Sequence, residues 1–193
     1  MQVAEIIDIT EVEGPGIRSA IWLQGCSINC KACCNPDFIP KVGGFELNYN
    51  DLADRFINLT KSDQKIKPQG ITILGGEPLD QSEELYLFLE KIKRESDLSI
   101  MLFSGYTWPN ILKNPNKKKV IELCDLVIAG PFIQSLISNK RRWIGSSNQS
   151  VHYITDRYKY LENNWEPYYK EVEFHIKDGE IIINGMPIDA GIF

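Results

Sequence analysis

Long apolar runs are missing from this 193-residue chain, and so is any surplus of positive charge: 21 Lys and Arg face 26 Asp and Glu, a net charge of −5. A membrane-spanning helix needs about 18 consecutive apolar residues, and gripping a phosphate backbone needs a concentrated basic surface. Neither a membrane nor a nucleic acid is therefore an expected partner. The first residues, Met1-Gln2-Val3-Ala4-Glu5, have neither the basic start nor the apolar core of a signal peptide. Cysteines number five, an odd count for a disulfide framework. The expected compartment is a reducing cytoplasm, where clustered cysteines bind metal or do chemistry. Internal repeats and low-complexity linkers are also lacking. What remains is globular composition, 43% hydrophobic and 24% charged, in a length that suits one domain with its own core.

Short β-branched apolar runs alternate with amphipathic helical stretches. Residues 4–9 and 17–23 read as strands around the turn Glu13-Gly14-Pro15-Gly16. A cysteine-rich loop runs from Gly25 to about Gly44. Asn50-Asp51 opens a helix carrying Leu52, Phe56, Ile57 and Leu59. Residues 71–74, 98–103 and 126–129 read as buried strands, 81–93 as a helix, and 113–119 as a solvated turn into a short helix. This alternation predicts parallel βαβ units, whose chemistry gathers beyond the C-terminal ends of strands. Cysteines, Gly-Gly-Glu-Pro and Ser-Gly-Tyr stand in those places. Residues 171–177 and 180–183 flank Asp178-Gly179, which predicts an appended β-hairpin, a lid or a docking edge. Its Phe174, Ile176, Ile181 and Ile183 are candidates to complete the core.

Four of the five cysteines fall within residues 26–34. Cys26, Cys30 and Cys33 have C-x3-C-x2-C spacing, and thiolates are soft ligands for zinc or iron–sulfur clusters. A structural zinc site needs a second, separated ligand pair. None is evident: Cys124 stands alone before an apolar strand, and the two histidines, His152 and His175, sit in no ligand clip. Three thiolates on a [4Fe–4S] cluster leave one iron open to another ligand. Cys34 reads as a small loop residue, and Cys124 as a buried thiol.

Cys26-x3-Cys30-x2-Cys33 followed by Gly75-Gly76-Glu77-Pro78 resembles the radical S-adenosylmethionine enzymes. Glu13-Gly14-Pro15-Gly16-Ile17-Arg18 and Cys34-Asn35-Pro36 resemble the glycyl-radical-enzyme activases within them. Segments 102–107, 125–132 and 142–149 resemble the activases of anaerobic ribonucleotide reductase. The likeness runs from about residue 5 to residue 157.

The resemblance implies an α/β fold, a partial (βα) barrel over residues 1–157, with an extension at 158–193 that carries the hairpin. It implies a [4Fe–4S] cluster on Cys26, Cys30 and Cys33, whose open iron chelates S-adenosylmethionine. One electron from a low-potential donor such as flavodoxin or ferredoxin then splits the sulfonium. The resulting 5′-deoxyadenosyl radical takes hydrogen from a glycine of a partner such as anaerobic ribonucleotide reductase. Gly75 and Gly76 would let backbone carbonyls approach the methionine ammonium, Glu77 would help hold it, and Pro78 would stiffen the turn. On this reading a Gly76→Val side chain blocks the cofactor and spares the cluster. Backbone near Ala32 and Cys34 would meet the adenine, and Ser104 and Gly105 the ribose or methionine. Tyr106 either packs or binds. Arg18 either orients a substrate backbone or forms a surface salt bridge.

Three positions depart from the activase pattern: Glu13 replaces an Asp, Ala32 an aromatic and Ala129 an acidic residue. They leave the cluster chemistry intact and the substrate open. A radical enzyme acting on a peptide or small molecule, such as a deazapurine precursor, is the alternative. A non-catalytic, metal-stabilised binding module is an alternative of another class.

Overall fold

Where apolar residues run without interruption, the chain forms strands buried on both faces, as parallel sheets require. A computed structural model describes residues 1–138, 140–165, 171–177 and 179–185. In chain order the elements are β1 (Gln2–Thr10), β2 (Arg18–Leu23), β3 (Phe45–Glu46), α1 (Tyr49–Lys61), β4 (Gly70–Gly75), α2 (Ser82–Glu95), β5 (Ser99–Ser104), α3 (Trp108–Lys113), α4 (Pro115–Glu122), β6 (Leu126–Ala129), β7 (Ser150–Tyr153), β8 (Val172–Lys177) and β9 (Glu180–Gly185). Seven strands form one sheet in the order β3-β1-β2-β4-β5-β6-β7, and β8 pairs with β9 alone. Strands β2, β4, β5 and β6 are parallel, while β1 and β7 flank them antiparallel. The fold is mixed α/β with a largely parallel centre and a C-terminal hairpin. β3 and β7 had no counterpart in the sequence reading.

Helices α1 and α2 turn their apolar sides to one face of the sheet. Asn48 caps α1 by accepting a hydrogen bond from the Asn50 amide, and Leu52, Ala53, Phe56 and Ile57 are buried. In α2 the buried set is Leu85, Phe88, Leu89 and Ile92. Phe56 meets Phe88 edge to face, their centroids 6.0 Å apart. Each such side chain contributes roughly 1.5–3 kcal/mol on burial. On the other face Met101, Leu126 and Ile128 pack against Ile144, Tyr158 and Leu161. Tyr158 lies in a 3₁₀ helix, Asp156–Leu161, so the expected boundary after residue 157 falls within an element.

Arg18 is neither a surface ion pair nor placed to orient a substrate. It is 0% exposed and sits at the start of β2, at the opposite end of the strand from the cysteine loop. Its Nε donates to Thr72 Oγ1 at 2.7 Å, Nη1 to Tyr158 OH at 2.8 Å and Ser99 Oγ at 2.9 Å, and Nη2 to the Ile71 carbonyl at 2.7 Å. Hydroxyls and carbonyls thus solvate the buried cation, and desolvation still lowers its pKa.

The hairpin also corrects an expectation. Phe174, Ile176, Ile181 and Ile183 are exposed, Ile176 to 80%, and do not complete the core. Period-two alternation defines two faces but not which one docks, and here the more polar face does. Glu173 accepts from Thr10 Oγ1 at 2.6 Å and from the Glu11 amide at 2.7 Å. The Asn184 amide donates to Thr10 Oγ1 at 3.0 Å, and Ile182 joins Ile7, Ala20 and Trp22. Asp178 of the expected turn lies outside the described residues, as do residues 186–193.

Glu13 holds the hairpin's last strand by accepting the Gly185 amide at 2.9 Å. Burial pushes this carboxyl up to about 7, opposed by hydrogen bonds from Gly185 and Asn184 and reinforced by the charge of Glu173. Its folded pKa exceeds its unfolded one, so the native state binds the extra proton between about pH 4.5 and 7. Stability from this group is present at low pH and lost as pH rises through that window. Glu13→Gln keeps an acceptor for Gly185 and removes the buried charge. Thermal unfolding should show a shallower pH dependence and, at pH 8, a gain on the order of 1–3 kcal/mol. Superimposable pH profiles for the two proteins would contradict this account.

Candidate metal centre

The cysteine loop is closed at its base. Beyond β2, the Gln24 side chain donates to the carbonyls of Asp37 (3.1 Å) and Pro40 (2.7 Å). Gly25 N–H reaches the Phe38 carbonyl and Cys26 N–H that of Ile39. Inside the loop Asn29 and Ala32 adopt left-handed backbone, with φ of 52° and 58°. L-residues adopt this conformation at a cost, and here it turns the chain on either side of Cys30. Cys26, Cys30 and Cys33 are half-buried, whereas Ala32 and Cys34 are exposed.

The thiols sense one another. Desolvation raises Cys30, and the charges of Cys33 and Cys26 raise it further against a backbone hydrogen bond from Phe132. Cys33 is lowered to about 6, chiefly by the thiol of Cys34, and the same contact raises Cys34. Among the described residues no three His, Cys, Asp or Glu side chains close in as they would around a single ion. Three half-buried thiols on one loop are the soft donor set that an iron–sulfur cluster takes. Cys124 is fully buried, and burial raises its pKa.

The tip of β4 is built against this loop. Gly76 N–H donates to the Leu23 carbonyl and Glu77 N–H to that of Gly25, both at 2.8 Å. A Cβ on Gly75, whose φ is +122°, would lie 2.2 Å from the Leu23 nitrogen. On Gly76 it would lie 2.2 Å from the Gly25 oxygen and 2.6 Å from the Phe38 oxygen. The two glycines therefore serve the protein's own backbone packing. The expectation that a side chain at Gly76 spares the cysteine loop does not fit this geometry.

Glu77 is 0% exposed. Its Oε1 accepts from the Leu79 amide and from Ser104 Oγ, both at 2.9 Å, and Oε2 accepts from the Gly105 amide at 2.6 Å. Desolvation lifts its pKa to about 7 against those three hydrogen bonds. The carboxylate ties the tips of β4 and β5 together, with Pro78 buried at the start of the 3₁₀ helix Pro78–Gln81. Gly105 abuts the loop, since a Cβ there would meet Ile28 at 3.1 Å. The tips of β2, β4 and β5 thus converge where parallel α/β folds place their ligands.

Sequence reasoning passed over Ser27 and Asp80. Tyr106, left open between packing and binding, donates its hydroxyl hydrogen bond to Asp80 at 2.7 Å. The loop at Ser146–Gln149 supports itself: Gln149 Oε1 accepts from the Gly145 and Ser146 amides. Stacked rings at 3.6 Å pair His152 with Trp108.

Residues 12–152 match the family described as a 4Fe-4S single cluster domain. An anaerobic ribonucleoside-triphosphate reductase-activating protein of Haemophilus influenzae is 31% identical over 144 residues, 73% of this chain and 90% of the relative. The chain belongs to this activating-protein family. The Escherichia coli K12 member is 30% identical over 146 residues, 74% of this chain and 92% of the relative. That of enterobacteria phage T4 is 29% identical over 148 residues, covering 75% and 89%. An iron–sulfur cluster and S-adenosylmethionine are the cofactors that membership in the activating-protein family carries with it. Strands β8 and β9 lie beyond the matched segment. Among the described residues no helix is long and apolar enough to cross a membrane.

Proposed function

We propose that this chain activates an anaerobic ribonucleotide reductase by removing a hydrogen atom from one of its backbone glycines. The observation that carries the reading is the loop of three half-buried thiols built against the Gly75–Pro78 turn. It occurs in a chain that spans about nine-tenths of the named activating proteins. Cys26, Cys30 and Cys33 would hold the cluster, which together with S-adenosylmethionine would supply one-electron cleavage of the sulfonium. Gly75, Gly76 and Glu77 take the methionine end, and Pro78 keeps their turn rigid. Ser104 and Gly105 complete that wall, and the backbone of Ala32 and Cys34 takes the adenine. Parallel β2, β4, β5 and β6, each of the last three preceded by a helix, support a partial (βα) barrel that runs through the 3₁₀ helix Asp156–Leu161, with the hairpin β8–β9 as the extension. Flavodoxin or ferredoxin is the class of donor, and the cytoplasm the compartment.

Anaerobically reconstituted protein, given a chemical reductant, should release 5′-deoxyadenosine. With anaerobic ribonucleotide reductase added, electron paramagnetic resonance should show a glycyl radical. Deoxyadenosine without that radical would redirect the activity to a peptide or small molecule. Absence of both would return the chain to a binding module.

A further inference from the structure

We infer that Asp80 is a positioning residue for the cluster, holding Cys26 in place through Ser27 and setting the local charge. The inference rests on the reading of the cysteine loop as the cluster's holder. Cys26 lies between two residues that are both anchored on the segment after β4. On one side the Gly25 carbonyl accepts from the Glu77 amide at 2.8 Å. On the other, the Ser27 amide donates to Asp80 Oδ2 at 2.8 Å, and Ser27 Oγ donates to Oδ1 at 2.9 Å. One carboxylate thus receives both donors of the residue that follows Cys26.

Asp80 is itself held. The Tyr106 hydroxyl donates to its Oδ1 at 2.7 Å and lies 2.9 Å from Ser27 Oγ. Lys117 Nζ stands 3.8 Å from Oδ1, donates to the Leu79 carbonyl at 2.7 Å, and sits 4.0 Å from the centroid of the Tyr106 ring. The cysteine loop, the 3₁₀ helix after β4, the β5–α3 connection and α4 therefore meet at one carboxylate. Residues that orient a ligand without touching the metal commonly change affinity by 10–100-fold. Net charge near a cluster sets its potential, and a carboxylate beside it opposes the added electron. Asp80 thus favours the strongly reducing cluster that sulfonium cleavage demands.

The test compares Asp80→Ala with Asp80→Asn, which keeps an acceptor and loses the charge. In metal-free protein, exchange of the Ser27 amide, followed by nuclear magnetic resonance, should speed up in Asp80→Ala and stay near wild type in Asp80→Asn. After reconstitution, Asp80→Ala should lose iron to a chelator at least about tenfold faster than wild type. Asp80→Asn should keep its cluster, with a midpoint potential shifted positive. Unchanged Ser27 exchange and equal iron loss in Asp80→Ala would overturn the positioning role. An unchanged potential in Asp80→Asn would overturn the role of the charge. A wild-type chain that took up no iron would overturn the underlying reading instead, and the Ser27 measurement separates the two failures.

Discussion

Gly76→Ala should cost the protein its cluster, its affinity for S-adenosylmethionine and much of its thermal stability together. The added methyl would lie 2.2 Å from one backbone carbonyl oxygen and 2.6 Å from another, and neither can rotate aside as a side chain does. Overpacking a well-ordered interior costs typically about 1–3 kcal/mol. Here the relief has to come from moving the root of the cysteine loop, where Gly25 directly precedes Cys26. Gly105→Ala is the control: its nearest neighbour is the Ile28 side chain at 3.1 Å, which can give way. Iron analysis and thermal unfolding of both variants decide the matter. Gly76→Ala with full iron and an unchanged midpoint would mean that the packing at the β4 tip is not what excludes a side chain.

Single replacement of Cys26, Cys30 or Cys33 by alanine should bring iron from about four per chain to near zero, because each thiolate is a ligand. Cys34→Ala should keep the cluster, though Cys33 then loses the thiol that lowers its pKa to about 6. Cys124→Ala should keep it as well, since that thiol is 0% exposed and engages the Val120 carbonyl. Anaerobic iron and sulfide analysis with absorbance spectra provides the check. Iron lost from Cys34→Ala as completely as from Cys33→Ala would make Cys34 a fourth ligand and leave no open iron.

The centre of the sheet was legible because β2, β4, β5 and β6 are near-continuous apolar runs. β3 has two residues, too few for a period, and Ser150–Tyr153 alternates polar and apolar over only four residues, the shortest run that can show one. The cysteine loop announced itself through ligand type and spacing. Asp80 did not, because its partner is a backbone amide 53 residues away and backbone donors leave no mark in a sequence. Arg18 was misread because charged side chains are rarely buried without a charged partner; the hydroxyls that replace one, on Thr72, Ser99 and Tyr158, stand 54, 81 and 140 positions away. In the hairpin, Phe174 and Ile183 pair across the strands on the exposed face, so an apolar stripe identified a face without saying which way it turns.

The bond between Arg18 and Tyr158 has a consequence for biosynthesis. The two residues are 140 positions apart, so β2 leaves the ribosome well before one of its own buried partners. At about 5–20 residues per second, synthesis leaves that guanidinium without its tyrosine for on the order of ten seconds. The cysteine loop emerges early in the same interval, ahead of the strand tips that fix its shape. Its shape is therefore fixed only once β4 and the segment after it have been made, as the bonds from Ser27 to Asp80 require.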